Sequence, residues 1–132
     1  MIGLILTGHG GWASGMEEAL SMIAGDLPSF AAYDFQLADS TEELRTRLER
    51  AHASMSDCDG VLVCCDLVSG SPFSTAVMTC YTKGAEVIAG SNLGMLLEIN
   101  ALRGSESDVH KLAEQAVDLI GKGAARFQMP KA

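Results

Sequence analysis

Basic residues are scarce in this sequence. Nine lysines and arginines stand against 17 aspartates and glutamates, a formal net charge of −8. An acidic surface repels nucleic acid and anionic lipid, which excludes both as partners, whereas a protein with a basic face would be attracted. Long hydrophobic runs are missing too. Ile2 with Leu4–Leu6 is far too short to span a bilayer. It has no charged flank or cleavage site before or after it, so it is not a signal peptide. The expectation is a cytoplasmic protein with no direct membrane insertion. The four cysteines, Cys58, Cys64, Cys65 and Cys80, lack the spacing of zinc ligands and suit small apolar residues in a reducing compartment. There is no GxxxxGK[ST], hence no P-loop nucleotide site. Internal repeats, low-complexity segments and linkers are also lacking, and 132 residues fit a single compact domain, 1–132.

What is present is an alternation of two apolar patterns. Short apolar runs at 1–7, 30–37, 60–66 and 85–89 predict strands; the third, "GVLVCCD", is continuous, as in a strand buried on both faces. Between them lie helical stripes. Ser14 and Glu17 have capping-box spacing at the start of a helix ending at Gly25, and Ser40 and Glu43 repeat it before Leu44, Leu48, Ala51 and Met55. Ser71-Pro72 predicts an N-cap followed by proline in the first turn of a helix to about Lys83-Gly84. Helices are also expected over 95–103 and 108–121, and the tail "AARFQM" over 124–129 as a last short strand. Strand–helix alternation gives an α/β fold, a doubly wound and mostly parallel sheet.

In such sheets, sites form beyond the carboxyl ends of the strands, where strand order reverses. With the order 2-1-3-4, strands one and three are neighbours, and the loops "TGHGG" and "DLVSGSPF" share a crevice holding His9 and Asp66. "GSNLGM", with Ser91 and Asn92, follows strand four. A carboxylate beside imidazole keeps one ring nitrogen protonated and leaves the other a free nucleophile. The helix start near Ser71 offers backbone N–H groups and a positive dipole end suited to a phosphoryl group, with Ser69 and Ser71 as hydroxyl donors and Gly10 and Gly70 leaving room. These loops contain no lysine or arginine and one carboxylate, too few for a metal cluster. Neutral amides alone hold phosphate lightly, as suits a group to be passed on.

Two blander assignments compete. Asp66 and Ser71 also fit simple capping roles, and His52 and His110 fit solvated helix faces. Ser71, His9 and Asp66 also suggest a hydrolase triad, but the G-x-S-x-G elbow is absent from "SGSPF". A binding or regulatory module of the same fold remains a further alternative.

"GHG…WASGM", "D…SGSPF" and "EVIAGSNLGMLLE" together resemble the IIA domain of the mannose-family sugar phosphotransferase system, over essentially the whole chain. The resemblance implies a phosphoryl carrier without a cofactor. His9 would be phosphorylated by the histidine phosphocarrier protein and would pass the group to a IIB domain. Asp66 would orient His9, and Ser71 would begin the third helix. It also implies a homodimer in which a C-terminal antiparallel edge strand is exchanged between subunits. The sequence departs from one branch of that family in having "GGWA" after the histidine and Leu67-Val68 after the aspartate, which leaves the sugar open.

Overall fold

The computed structural model describes residues 1–131. Its chain runs β1 (Gly3–His9), α1 (Trp12–Ala24), β2 (Phe30–Phe35), α2 (Thr41–Ser54), β3 (Val61–Cys65), α3 (Ser71–Thr79), β4 (Glu86–Ile88), α4 (Leu93–Leu102) and α5 (Val109–Ile120). Single 3-10 turns follow α3 at Tyr81–Lys83 and α5 at Gly121–Gly123. The strands form one parallel sheet in the order β2-β1-β3-β4, the order expected. In register, Gly8 lies opposite Asp34, His9 opposite Phe35, and Thr7 opposite both Tyr33 and Cys65.

Strict alternation along the central strands divides the core. Leu4, Leu6, Leu62 and Cys64 face Leu20, Met95, Leu96, Ile99 and Leu112 of α1, α4 and α5. Ile5, Val63 and Cys65 face Leu44, Leu48, Ala51 and Ala76 of α2 and α3. Adjacent Cys64 and Cys65 thus point to opposite faces, both fully buried. Burial pushes both thiols up, Cys65 to about 12, so neither is a nucleophile at neutral pH.

The amino-terminal rim of the sheet is closed by Arg103, 1% exposed at the end of α4. Its guanidinium donates to the carbonyls of Ile2 at 3.0 Å, Ser29 at 3.2 Å and Pro28 at 2.6 Å, and to Asn100 Oδ1 at 2.9 Å. The fork of five N–H groups suits an array of carbonyls that no carboxylate accompanies.

The third helix, expected to run to about Lys83-Gly84, ends at Thr79, and a separate 3-10 turn covers Tyr81–Lys83. Three further local expectations change. The helix at Trp12 starts three residues earlier than the Ser14 cap implied, with Gly11 at the N-cap and no side-chain cap of its own. Ser14 lies inside the first turn, bonded to Asp34 instead. Gly70, not Ser71, is the N-cap of α3, because its φ of 90° turns the chain into the helix and leaves Ser71 as the first helical residue. The expected strand over 124–129 is unpaired within the chain: residues 124–131 take no regular structure and are exposed. A strand needs an edge to bond to, and this segment pairs with none of its own.

Candidate functional site

β1 is buried from Gly3 to Gly8 and emerges into solvent only at His9, so the apolar strand delivers its one polar ring to the carboxyl rim. Gly8 makes the approach possible. A Cβ there would stand 2.6 Å from the Trp12 ring and 2.9 Å from Asp66 Cγ, so only glycine lets both close over the strand end. Trp12 is half-buried and packs on the core of that face. The next residue, Gly10, donates its N–H to the Phe35 carbonyl at 2.8 Å, tying the turn to β2.

Asp66, just beyond β3, reaches across to His9. Its Oδ2 accepts from the His9 backbone N–H and from the ring Nδ1–H, both at 2.9 Å, and its Oδ1 accepts from Leu67 N–H at 2.9 Å. The ionised carboxylate only accepts, so the imidazole proton resides on Nδ1 and the lone pair on Nε2. Burial by itself would raise the Asp66 pKa; the backbone and ring hydrogen bonds of His9, with Leu67 N–H, outweigh it and hold the carboxyl below its ordinary value. The His9 side chain remains 44% exposed against 13% for Asp66, so the free nitrogen is open to a partner while its support is sheltered.

α3 begins against that nitrogen. A Cβ on Gly70 would lie 2.7 Å from Nε2 and 2.8 Å from Cε1. Pro72, in the first turn, has no N–H, and the N–H groups of Gly70, Ser71 and Phe73 find no acceptor among the described residues. No acidic residue occupies that turn. This is a helix end with its dipole unanswered. Ser71 is half-buried, whereas Ser69 is exposed beside Leu67 and Val68, 54% and 74% exposed. The structure therefore brings His9, Asp66, Gly70 and Ser71 together. Gly10 joins them as a turn whose N–H is already engaged. Ser91 and Asn92 lie at the same rim but are built into the scaffold: Ser91 N–H donates to the Cys65 carbonyl, and Asn92 caps α4 through Met95 N–H. Among the described residues no group of three or more His, Cys, Asp or Glu is placed to hold a metal ion.

Asp34 was not legible from the sequence. Its carboxylate accepts from Ser14 N–H at 2.9 Å and Ser14 Oγ at 2.6 Å, so it caps α1 from the end of β2. His110 is exposed, as expected, and bonds Glu86; that hydrogen bond and charge raise its pKa. His52 is instead half-buried in a cleft of about 390 Å³ with Glu49, Cys58 and Lys83, where burial and then the Lys83 charge lower its pKa.

Comparison with known proteins gives one consistent answer. Residues 3–117 match the family model described as PTS system fructose IIA component, PTS being the sugar phosphotransferase system. The sorbose-specific EIIA component of Lacticaseibacillus casei is 31% identical over 117 residues, spanning 88% of this chain and 83% of that one. The mannose-specific EIIAB component of Escherichia coli K12 is 29% identical over 92% of this chain, which spans 38% of that longer protein. The crystal structure of a phosphotransferase system EIIA component from Streptococcus agalactiae superposes with a TM-score of 0.86 at 26% identity, covering 96% of this chain and 97% of that one. Among the described residues no helix is long and apolar enough to cross a membrane. The chain belongs to the mannose-type IIA family and is a component of the sugar phosphotransferase system.

Proposed function

We propose that the protein is a phosphoryl carrier acting through His9 Nε2. The observation that carries this reading is the pairing of a locked Nδ1–H with a free Nε2 at an uncapped helix start. The Nε2 lone pair attacks the phosphorus of the phosphohistidine on the histidine phosphocarrier protein. The donor N–P bond breaks, and its electron pair returns to the donor imidazole. Nδ1–H stays on Asp66, whose charge offsets the cationic character of the phosphorylated ring. Backbone N–H groups at Gly70, Ser71 and Phe73 receive the phosphoryl oxygens. In the second step a nucleophile of a IIB domain attacks the same phosphorus, and the bond to Nε2 breaks. Neither step needs a metal ligand or a change in proton count on this chain. The reaction sets the work in the cytoplasm.

Incubation with phosphoenolpyruvate, enzyme I and the histidine phosphocarrier protein should add the mass of one phosphoryl group, in an acid-labile, alkali-stable linkage. Undiminished labelling of His9→Ala would overturn the assignment.

We also infer a homodimer sealed by the tails. β4 is an unpaired sheet edge, and beside it Glu86, Ile88, His110, Ala113, Glu114 and Asp118 line a groove of about 570 Å³. The tail is basic at Arg126 and Lys131 and leaves Phe127 and Met129 81% and 77% exposed. An acidic groove along an open edge suits a basic, apolar strand from a second copy.

A further inference from the structure

Two helices begin beside His9, and their ends are treated oppositely. The end of α3 carries no acid and no side-chain cap. The end of α1 lacks a cap from its own sequence, yet Asp34 supplies a full negative charge there, through Ser14 N–H and Ser14 Oγ. Asp34 pairs in register with Gly8, the residue before His9, so its charge sits one strand away from the reactive ring. It lies on the opposite side of β1 from Asp66, which touches His9 directly.

We propose that Asp34 is a positioning residue that sets how strongly the phosphoryl group is held on His9. By neutralising α1, it leaves α3 as the single helix end that receives the phosphoryl oxygens, and its charge opposes theirs. Both effects weaken the phosphorylated state and keep onward transfer favourable. The proposal rests on the carrier reading above, and deepens it.

Its sign separates it from a structural role. If Asp34 only anchored the turn, losing its charge would leave phosphorylation of His9 unchanged or impaired. If it tunes the site, Asp34→Asn, which keeps an acceptor oxygen for Ser14 N–H, stabilises the phosphorylated form. The equilibrium between the phosphorylated phosphocarrier protein and this chain should then shift toward the chain by about threefold to tenfold, the range for one charge at a helix end. The half-life of the phosphohistidine, formed instead with the small donor phosphoramidate, should lengthen, and transfer to the IIB domain should slow. Ser14→Ala removes a hydrogen bond but no charge and should stay at the wild-type equilibrium. Where Asp34→Asn fails to fold, Asp34→Ser removes the same charge and carries the same test. An unchanged or reversed equilibrium in the folded variant overturns the proposal. Failure of the wild-type chain to be labelled on His9 by either donor overturns the carrier reading instead.

Discussion

Gly70 stands so close to His9 that a Cβ on it would lie 2.7 Å from Nε2, the nitrogen that Asp66 leaves free. The same glycine has φ of 90°, a region other residues enter only at a cost. Gly70→Ala would therefore add strain of about 1–3 kcal/mol and put a methyl group where the phosphorus must arrive. The variant should remain folded, with its rate of phosphorylation lowered by about a hundredfold, the usual consequence of misplacing a reacting atom by about 1 Å. Rapid-quench labelling at fixed donor concentration measures it; a wild-type rate would show that attack comes from another direction.

Asp66→Asn should still fold at neutral pH, with some loss of stability, but slow phosphoryl transfer by about tenfold to a thousandfold, the range for losing support of an acid–base group. Single-turnover kinetics with the phosphorylated phosphocarrier protein decides this. Rates equal to wild type would reduce Asp66 to a turn residue.

The same carboxyl makes stability depend on acid. Its folded pKa lies below the ordinary 3.8, so the unfolded chain takes up a proton first. The Asp66 contribution is fully present above 3.8 and is lost as pH falls through the lower, folded value. Urea denaturation at pH 6 and at pH 3 should show the stability gap between wild type and Asp66→Asn narrowing at the lower pH. A gap that stays constant would mean that the carboxylate gains nothing from His9 and Leu67.

Arg103 is expected to matter for folding and not for chemistry. Arg103→Met takes the guanidinium from the carbonyls of Ile2, Pro28 and Ser29. Ser29 keeps its bond from Leu4 N–H and Pro28 is exposed, but the fully buried Ile2 carbonyl loses this donor where water does not reach. A loss of about 1–3 kcal/mol follows from leaving that buried carbonyl unsatisfied. Denaturant titration reads the loss, while His9 labelling of the folded fraction at 25 °C should be unchanged.

The tail gives a test by mass. The full chain should scatter light as about twice 13.9 kDa, two copies being the commonest symmetry. A chain ending at Gly121 should dissociate or aggregate. A truncated chain that keeps the dimer mass and its thermal midpoint would remove the tail from the interface.

The sheet and its crevice were legible because they depend on local pattern. The continuous apolar run within "GVLVCCD" suits a doubly buried strand, and a glycine-flanked histidine after one apolar run finds an aspartate after another once the strands are neighbours. What escaped was carried by partners distant in sequence. Ser14 and Glu17 mimic a capping box, but the acceptor for Ser14 comes from Asp34, 20 residues on. Ser71 has the chemistry of an N-cap, yet the positive φ of Gly70 moves the helix start back by one residue. The signal for Arg103 was faint: a lone cation closing the apolar stretch "MLLEINAL", with nothing in the spacing to show the three carbonyls waiting for it.

α4 descends from the His9 rim to Arg103, and α5 climbs back, so that the Ile120 carbonyl meets Asn92 Nδ2 at 3.0 Å beside the loop after β4. The chain thus leaves the sheet on the rim that bears the reactive histidine, while its amino terminus is pinned at the opposite rim by Asp59. Anything tethered downstream is confined near that rim, at an effective concentration fixed by linker length rather than by the amount of protein in the cell. A tag added at the amino end, by contrast, starts some seven residues of strand away from the crevice and leaves it clear.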